Sequence, residues 1–310
     1  MKAHETDAPG LWPGLIGRLP KAVFVTPMVV HWLLLALRYR SLTLPSAANP
    51  AIELGGLVGE SKIAYFGQVR PPQQAWLARA GAVAAGPDAP ARARRVMADL
   101  ALEFPVVAKP DIGWCGFGVR RLDDAAALDA YIAAYPAGET LLLQEYIDLP
   151  GEAGLFYMRW PHETEGRLLS LTVRAAVPGA TVWSHRMGGR YRENRAALTP
   201  ALSEAVDAIA RGMPDFHVGR FDVRYASLEA LGRGEFKVLE INGAGSEAIE
   251  FFGEDVPFFA SYRGVLGKNA MLFALGAQNR ARGAKPCGWR ALVKAFRRQH
   301  RLLGLYPEAN

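Results

Sequence analysis

FPVVAKPDIGWCGFGVRRL, at residues 104–122, is the stretch that decides how the rest of the chain is interpreted. Its apolar start predicts a buried strand that ends at Lys109, and a second strand is expected to open at Val119. Three glycines lie between them: Gly113, Gly116 and Gly118. A Rossmann or P-loop phosphate site needs a helix directly after its glycines, and none is predicted here. The stretch predicts a glycine-rich hairpin. Its loop amides and Lys109 suit a phosphate, although a lysine can also simply close an apolar strand.

Composition predicts a folded protein of one large domain or two ordinary ones. Half of the 310 residues are hydrophobic. The only cysteines, Cys115 and Cys287, are too few for a disulfide framework or a zinc knuckle, which favours a reducing compartment and a cytoplasmic location. The first residues lack the basic-then-apolar pattern of a signal peptide. Residues 256–310 hold 10 of the 36 basic side chains and one of the 30 acidic ones, so a partner for positive charge is expected there.

Hydrophobic periodicity predicts an α+β chain with largely antiparallel sheet, not a repeating βαβ array. Further strands are expected at residues 140–147, 153–160, 167–176, 216–225 and 235–241. Helices are expected at residues 63–80, 89–103, 124–135 and 201–212. The sequence HRMGGRYREN at residues 185–194 predicts a basic loop.

Two of these strands carry oxygen-donating side chains at alternating positions. In the first, one face is expected to hold Arg220, Asp222 and Arg224. In the second, Glu240 and Asn242 are expected opposite a face formed by Lys237, Leu239 and Ile241. If the strands are neighbours, three oxygen donors converge, and Mg²⁺ favours such donors together with water and phosphate. Solvated faces of two edge strands are the plainer interpretation of either motif alone.

Four separated motifs, in order, resemble the ATP-grasp superfamily and especially its D-alanine–D-alanine ligase-like branch, over roughly residues 59–275. The motifs are GESK at 59–62, the Lys109 strand with its glycine loop, QEYI at 144–147 followed by Gly151 and Glu152, and GRFD at 219–222 with EIN at 240–242. The resemblance implies an ATP-grasp fold, in which two α+β lobes with largely antiparallel sheets grip the nucleotide. It divides the chain into a short apolar N-terminal segment (1–58, a truncated N-terminal domain), an ATP-grasp domain (59–275) and a basic amphipathic tail (276–310).

The resemblance also implies roles for individual residues. The phosphates of ATP would be held by Lys62 and Lys109, under a loop formed by Gly113, Gly116 and Gly118. The adenine would be read by Gln144, Glu145 and Ile147, and the ribose hydroxyls by Glu152. The magnesium ion would be held by Asp222, Glu240 and Asn242. The acyl phosphate would face Arg220. Apart from the resemblance, the basic loop offers Arg186, Arg190 and Arg192, which either bind the γ-phosphate or an acidic substrate or lie in a solvated loop.

Members of the superfamily typically use ATP and Mg²⁺ to activate a carboxylate as an acyl phosphate, which an amine or similar nucleophile attacks. Three departures argue against D-alanine as the substrate and leave ATP in place. Residues 1–58 are too short for a Rossmann-like domain, Leu149 and Pro150 lengthen the loop before Glu152, and a serine-proline-glycine turn is missing after Asn242. Two other functions remain open: an ATP-grasp kinase and a non-catalytic ATP-binding module.

Two apolar segments leave a choice between protein core and membrane surface. AVFVTPMVVHWLLLAL at residues 22–37 is shorter than the roughly 20 residues of a bilayer span. The tail predicts a basic amphipathic helix with an apolar face of Trp289, Leu292, Val293, Phe296 and Leu303. Such a helix lies on an anionic membrane, here the inner face, or docks on the protein itself. The expected partners are small-molecule or lipid-linked carboxylates and amines; nucleic acid is the weaker candidate, because no motif for it accompanies the helix.

Overall fold

The computed structural model describes residues 21–175, 190–246 and 258–309, and the structural statements below concern those residues. Its helices are α1 Lys21–Tyr39, α2 Lys62–Gln68, α3 Ala89–Asp99, α4 Ala125–Ala134, α5 Pro200–Arg211, α6 Leu228–Gly232, α7 Phe258–Ala281 and α8 Trp289–Leu303. Its strands are β1 Ala80–Ala84, β2 Val106–Pro110, β3 Arg120–Leu122, β4 Thr140–Glu145, β5 Gly151–Met158, β6 Arg167–Arg174, β7 Tyr191–Glu193, β8 Val218–Tyr225 and β9 Lys237–Asn242.

The smaller sheet has the strand order β1-β4-β2-β3 and is antiparallel throughout. The predicted glycine hairpin is present, with Val106 of β2 opposite Leu122 of β3. Helices α3 and α4 pack on this sheet around the buried side chains of Val106, Ala108 and Leu143. The hairpin thus starts from a rigid, buried strand, which fixes where its loop projects.

The helix expected over residues 63–80 is wrong beyond Gln68, where α2 ends. Pro71 and Pro72 have no amide N–H to donate to a helix, and a residue before proline is disfavoured in the helical conformation. The chain instead enters β1, whose Ala80 pairs with Gln144 of β4. The alanine-rich β1 gives no alternating pattern, so sequence periodicity did not predict it.

The larger sheet has the order β7-β6-β5-β8-β9, again antiparallel. One face is apolar and packs on α5, which Thr199 caps by accepting a hydrogen bond from the Leu202 amide. The region predicted as a basic loop contains β7, which pairs with the end of β6. The predicted α+β class with two largely antiparallel sheets is confirmed.

A β-bulge in β9 changes the predicted faces of that strand. Asp222 lies opposite Glu240, but Val223 lies opposite Val238, so Leu239 is an extra residue. As a result Val238 joins Ile241 in the core, and the prediction that Lys237 and Leu239 share a face with Ile241 is wrong. The shared face of Glu240 and Asn242 is preserved.

The two sheets meet along β9. The Ala78 amide donates to the Val238 carbonyl at 2.9 Å, and the Lys237 ammonium donates to the Ala75 carbonyl at 2.7 Å. The chain entering β1 is therefore tied to the last strand of the larger sheet. We call this junction, where β9 meets the chain before β1, the seam. A ligand that lies between the sheets would contact both lobes there.

Helices α1, α7 and α8 complete the structure. Phe273 of α7 is fully buried, and Trp32 of α1 meets it edge-on with ring centroids 5.0 Å apart. The boundary predicted at residue 275 falls inside α7, which continues to Ala281. Helix α8 docks on the smaller lobe, where Arg298 pairs with Glu139 at 2.7 Å. No helix within the described ranges is long and apolar enough to cross a bilayer.

Candidate functional site

Lys109 joins the two sheets. It lies near the end of β2, is 5% exposed, and its ammonium donates to Gln144 Oε1 and to the Leu239 carbonyl, both at 2.9 Å. The bulge makes the second contact possible, because the extra residue has no partner in the ladder. Burial, with a smaller contribution from Lys62, lowers the pKa of Lys109 to about 8. The side chain is a poorly hydrated cation at the seam, which suits an anionic ligand.

Lys62 reaches the same seam from the start of α2. Its ammonium lies 3.7 Å from Glu240 Oε1 of β9. Asp111, directly after β2, fixes this geometry, since its Oδ1 accepts hydrogen bonds from the Ser61 hydroxyl and the Ile63 amide, both at 3.0 Å. Asp111 was missed in the sequence, where it is only a polar residue between a buried strand and a glycine loop.

The glycine loop lies beside Lys62. A Cβ atom at Gly113 would be 3.4 Å from the Lys62 ammonium nitrogen. Gly116 and Gly118 have φ angles of +76° and +70°, in the left-handed region that favours glycine. The loop is held at one end by Tyr131, whose hydroxyl donates to the Gly118 carbonyl at 2.7 Å. The backbone can therefore come close to a ligand on Lys62.

The three predicted metal ligands lie together on the larger sheet. Asp222 of β8 lies opposite Glu240 of β9 in the strand pairing, and the Asn242 amide nitrogen lies 3.5 Å from Asp222 Oδ2. Among the described residues, no three His, Cys, Asp or Glu side chains form a metal cluster, so this set is two carboxylates and an amide. Oxygen donors of this kind fit Mg²⁺, which binds through one or two carboxylates plus water and substrate phosphate.

A buried arginine, Arg174 of β6, was missed in the sequence. Its guanidinium donates to Glu152 Oε1 at 2.7 Å and pairs with Asp222 Oδ1 at 2.9 Å. Arg220 also donates to Asp222 Oδ1, at 2.7 Å. Burial alone would raise the pKa of Asp222, but Arg174 and Arg220 lower it to about 2. The signal in the sequence was the alternation in LSLTVR, which puts Ser170, Thr172 and Arg174 on one face.

The face of β6 that carries Arg174 contains buried polar atoms without a hydrogen-bond partner among the described residues. Within the described part of the chain, Arg174 Nε, Ser170 Oγ and Thr172 Oγ1 are buried without a hydrogen-bond partner. Buried polar atoms are nearly always paired, so three on one sheet face indicate a place where a polar ligand binds.

No family model matches the chain, and no curated protein matches it. Several solved structures are similar to the chain. A D-cycloserine synthetase is 20% identical with a TM-score of 0.47, over 69% of this chain and 70% of that one. The D-Ala:D-Ser ligase of Enterococcus faecalis is 15% identical with a TM-score of 0.47, over 72% and 64%. An L-amino acid ligase of Bacillus licheniformis is 16% identical with a TM-score of 0.45, over 68% and 47%.

With identities of 15–20% and TM-scores of 0.45–0.47, these structures show no superfamily for this chain. The ATP-grasp type of fold stays a prediction from the ordered motifs of the sequence. The likenesses are distant, and the chain spans less than two thirds of the length of the two amino-acid ligases.

The residues expected to read adenine and ribose contact other protein groups in this structure. Both oxygens of Glu145 accept from the Arg79 guanidinium, at 3.1 and 3.2 Å. Gln144 Oε1 accepts a hydrogen bond from the Lys109 ammonium, and the Ile147 carbonyl accepts one from the Arg224 guanidinium at 2.8 Å. Glu152 is paired with Arg174. Their nucleotide-binding roles stay predictions. Arg186, the second predicted catalytic residue, lies outside the described residues.

Glu60, in the first of the four motifs, is a further acidic group beside this site. It accepts hydrogen bonds from the Tyr65 hydroxyl and from the Gly243 amide, one residue after Asn242. Desolvation raises the pKa of Glu60 from 4.5 to about 7, against the lowering effects of Tyr65 and Gly243. The fold therefore favours the protonated carboxyl more than the unfolded chain does.

A pH dependence of stability follows from Glu60. Between about pH 4.5 and 7 the unfolded chain loses this proton while the folded chain keeps it, so the free energy of unfolding falls as pH rises. We expect Glu60→Gln to remove that part of the pH dependence in urea unfolding at pH 5 and pH 7.5. Glu53→Gln, at an exposed carboxylate, is the matched control and should follow the wild type. A pH profile that is unchanged in Glu60→Gln would contradict the prediction.

Proposed function

We propose that the chain is an ATP- and Mg²⁺-dependent ligase, which activates a carboxylate as an acyl phosphate for attack by an amine or similar nucleophile. The observation that carries the proposal is the hydrogen bond from the Lys109 ammonium to the Leu239 carbonyl. It puts the strand of the glycine hairpin next to Glu240, so that two lysines and the oxygen donors surround one seam. A triphosphate with its metal ion matches that distribution of charge.

The residues of the seam have distinct tasks in this reaction. Lys62 and Lys109 neutralise and orient the phosphates, and the glycine loop excludes water from them. Asp222, Glu240 and Asn242 would hold Mg²⁺, which supplies further neutralisation of phosphate charge. Arg220, opposite Asn242, would orient the transferred phosphoryl group.

The reaction balances without any other reagent. A carboxylate oxygen of the substrate attacks the γ-phosphorus, and the bond from that phosphorus to the bridging oxygen of ADP breaks. The nucleophile then attacks the acyl carbon, orthophosphate leaves with its electron pair, and the nucleophile loses a proton. Catalysis thus requires mainly positioning and charge neutralisation, which two lysines and the buried arginines provide.

An isotope experiment tests this proposal. A set of carboxylates labelled with ¹⁸O, amines and Mg-ATP should yield ADP and orthophosphate carrying one ¹⁸O atom, because that oxygen passes through the acyl phosphate. A kinase would leave the phosphoryl group on its substrate and release no orthophosphate. A binding module would release no ADP. Unlabelled orthophosphate, or turnover that persists in Glu240→Gln, would contradict the proposal.

The acceptor, we propose further, is met at an anionic membrane surface. Helix α1 packs on α7 with one side and exposes a stripe of apolar residues on the other: Val29, Val30, Leu33, Leu34 and Leu37, the last 75% exposed. Exposed apolar patches of this kind mark interaction sites. The exposed Arg38 and Arg40 follow the stripe, and exposed arginines also lie along α8. An apolar stripe with basic flanks suits acyl chains and anionic headgroups.

Co-sedimentation with vesicles tests the membrane surface. We expect the protein to pellet with phosphatidylglycerol-containing vesicles, and at least tenfold less in Leu34→Ser/Leu37→Ser, because each leucine loses about 2 kcal/mol of burial. The control pair, Leu169→Ser/Leu228→Ser, replaces exposed leucines elsewhere and should pellet like the wild type. Equal sedimentation of both pairs would contradict this surface.

A further inference from the structure

An apolar cleft of about 580 Å³ lies between α1, α7 and α8. Its walls include Trp32 of α1, Val265 and Leu272 of α7, and Val293 and Phe296 of α8. A volume of this size is in the range of small-molecule sites, and such sites have mostly apolar walls with a few polar groups. The roles of the nucleotide seam do not use this cleft.

The inner end of the cleft reaches the candidate active site. It is lined by Ala244, Gly245 and Ser246, which follow the predicted metal ligand Asn242 directly. The Gly245 amide donates to the Gly56 carbonyl at 2.6 Å, which holds this turn near Glu60 and Lys62. Ser246 is 7% exposed, and its hydroxyl has no hydrogen-bond partner within the described residues. A buried, unpaired hydroxyl on the cleft wall indicates a polar atom of a ligand.

The wall of the cleft also carries a positive charge. Lys268 of α7 lines it, and its ammonium lies 5.2 Å from the centroid of the Phe156 ring. Phe156 is opposite Arg220 in the pairing of β5 with β8. The cleft therefore combines apolar walls at Val293 and Phe296 with a cation at Lys268 and a buried hydroxyl at Ser246. A ligand with an apolar chain and an anionic head matches this combination.

We propose that this cleft binds the aliphatic chain of an amphiphilic carboxylate, with the chain toward Trp32 and Phe296 and the carboxylate toward Lys268 and Ser246. The proposal rests on the proposed function, for which it names the class of the activated acid. An acid held this way has its carboxylate at the end of the cleft that adjoins β9, where the phosphates of ATP are expected.

Binding without ATP tests the cleft separately from catalysis. Calorimetry of the full chain with alkanoates of six to twelve carbons, below their micelle concentrations, should show affinity rising about fourfold per methylene. Dodecanoate should bind at least tenfold more tightly than dodecyltrimethylammonium, because the inner end is cationic. Affinity that does not depend on chain length would overturn the proposal, and so would a preference for the ammonium compound.

Two variants with matched controls locate the ligand. Val293→Trp should weaken dodecanoate binding at least tenfold by filling the cleft, whereas Leu305→Trp, at an exposed leucine that does not line it, should not. Lys268→Met should lose the preference for dodecanoate over dodecanol, and the exposed Lys285→Met should keep it. Unchanged binding in both cleft variants would place the ligand elsewhere and overturn the proposal.

Failure of the cleft and failure of the ligase proposal have different signatures. If only the cleft is wrong, Mg-ATP still binds and alkanoates show no dependence on chain length. If only the ligase is wrong, dodecanoate binds in the cleft, and no ¹⁸O passes from any carboxylate to orthophosphate.

Discussion

Lys109→Met is expected to weaken the binding of Mg²⁺ with a non-hydrolysable ATP analogue at least a hundredfold, as measured by calorimetry at pH 7. The variant loses the cation that would donate charged hydrogen bonds to the phosphates, and such bonds contribute about 1.5–3 kcal/mol each. The free energy of unfolding should not fall in parallel, because burial already disfavours the charge of Lys109 and methionine fills a similar volume.

The pH dependence of nucleotide affinity gives a second readout for Lys109. Only the protonated amine attracts phosphate, and its pKa is about 8, so the affinity of the wild type should fall as pH rises from 7 to 9. Lys109→Met should lack this fall. Lys237→Met is the matched control, since the Lys237 ammonium donates to the Ala75 carbonyl at the edge of the seam. Tight binding by Lys109→Met would exclude Lys109 from the phosphate site.

Asp222→Asn is expected to lower the free energy of unfolding by about 3–5 kcal/mol, since it leaves two largely buried arginines, Arg174 and Arg220, without their shared carboxylate. Urea unfolding at pH 7 measures this loss. The matched control is Glu193→Gln, which breaks a more exposed pair with Arg195 and should cost less than about 1 kcal/mol. Equal effects in the two variants would contradict the central role of Asp222.

The same carboxylate predicts acid sensitivity. The pKa of Asp222 is lowered from 3.8 to about 2 in the folded chain, so its contribution is complete above about pH 4 and is lost as pH falls toward 2. Asp222→Asn should lose less stability than the wild type over that interval. If Asp222 holds the metal ion as proposed, turnover should also be lost in this variant at pH 7.

Sequence patterns within a few residues of each other predict much of the fold. The glycine hairpin follows from an apolar strand, three glycines and a second strand, all within 19 residues. Helix α5 follows from Thr199 and Pro200 at its start, which satisfy and pre-set the first turn. The convergence of Asp222 and Glu240 required only that two alternating strands be neighbours, which they are.

Features that depend on distant contacts were not predictable in this way. The bulge at Leu239 has no local signal, because the contacts of its carbonyl with Lys109 and Gln144 involve residues far away in the sequence. Arg174 reads as the end of an ordinary strand until β5 and β8 bring Glu152 and Asp222 beside it. Sequence periodicity reports which side of an element is apolar and not which charges meet across a sheet.

The C-terminal helix shows the same limit. Its pattern left membrane binding and docking on the protein equally open. The structure docks it through Leu302 and through Gln299, which donates to the Gly113 carbonyl at 3.3 Å. Tyr306 follows and donates to the Ile112 carbonyl at 2.6 Å. Trp289 and Phe296 stay exposed, so the C-terminal end of the helix is held on the protein while apolar residues nearer its start remain available to a ligand or a lipid surface.

The most direct test of the account is a crystal structure with Mg²⁺ and a non-hydrolysable ATP analogue. The account predicts one triphosphate at the seam, with the ammonium groups of Lys62 and Lys109 on its phosphates and Glu240 on its metal ion, beneath the loop that contains Gly113. Phosphates bound anywhere else, for example on the basic face of α8, with Lys109 still donating to Gln144 and Leu239 as it does now, would contradict it.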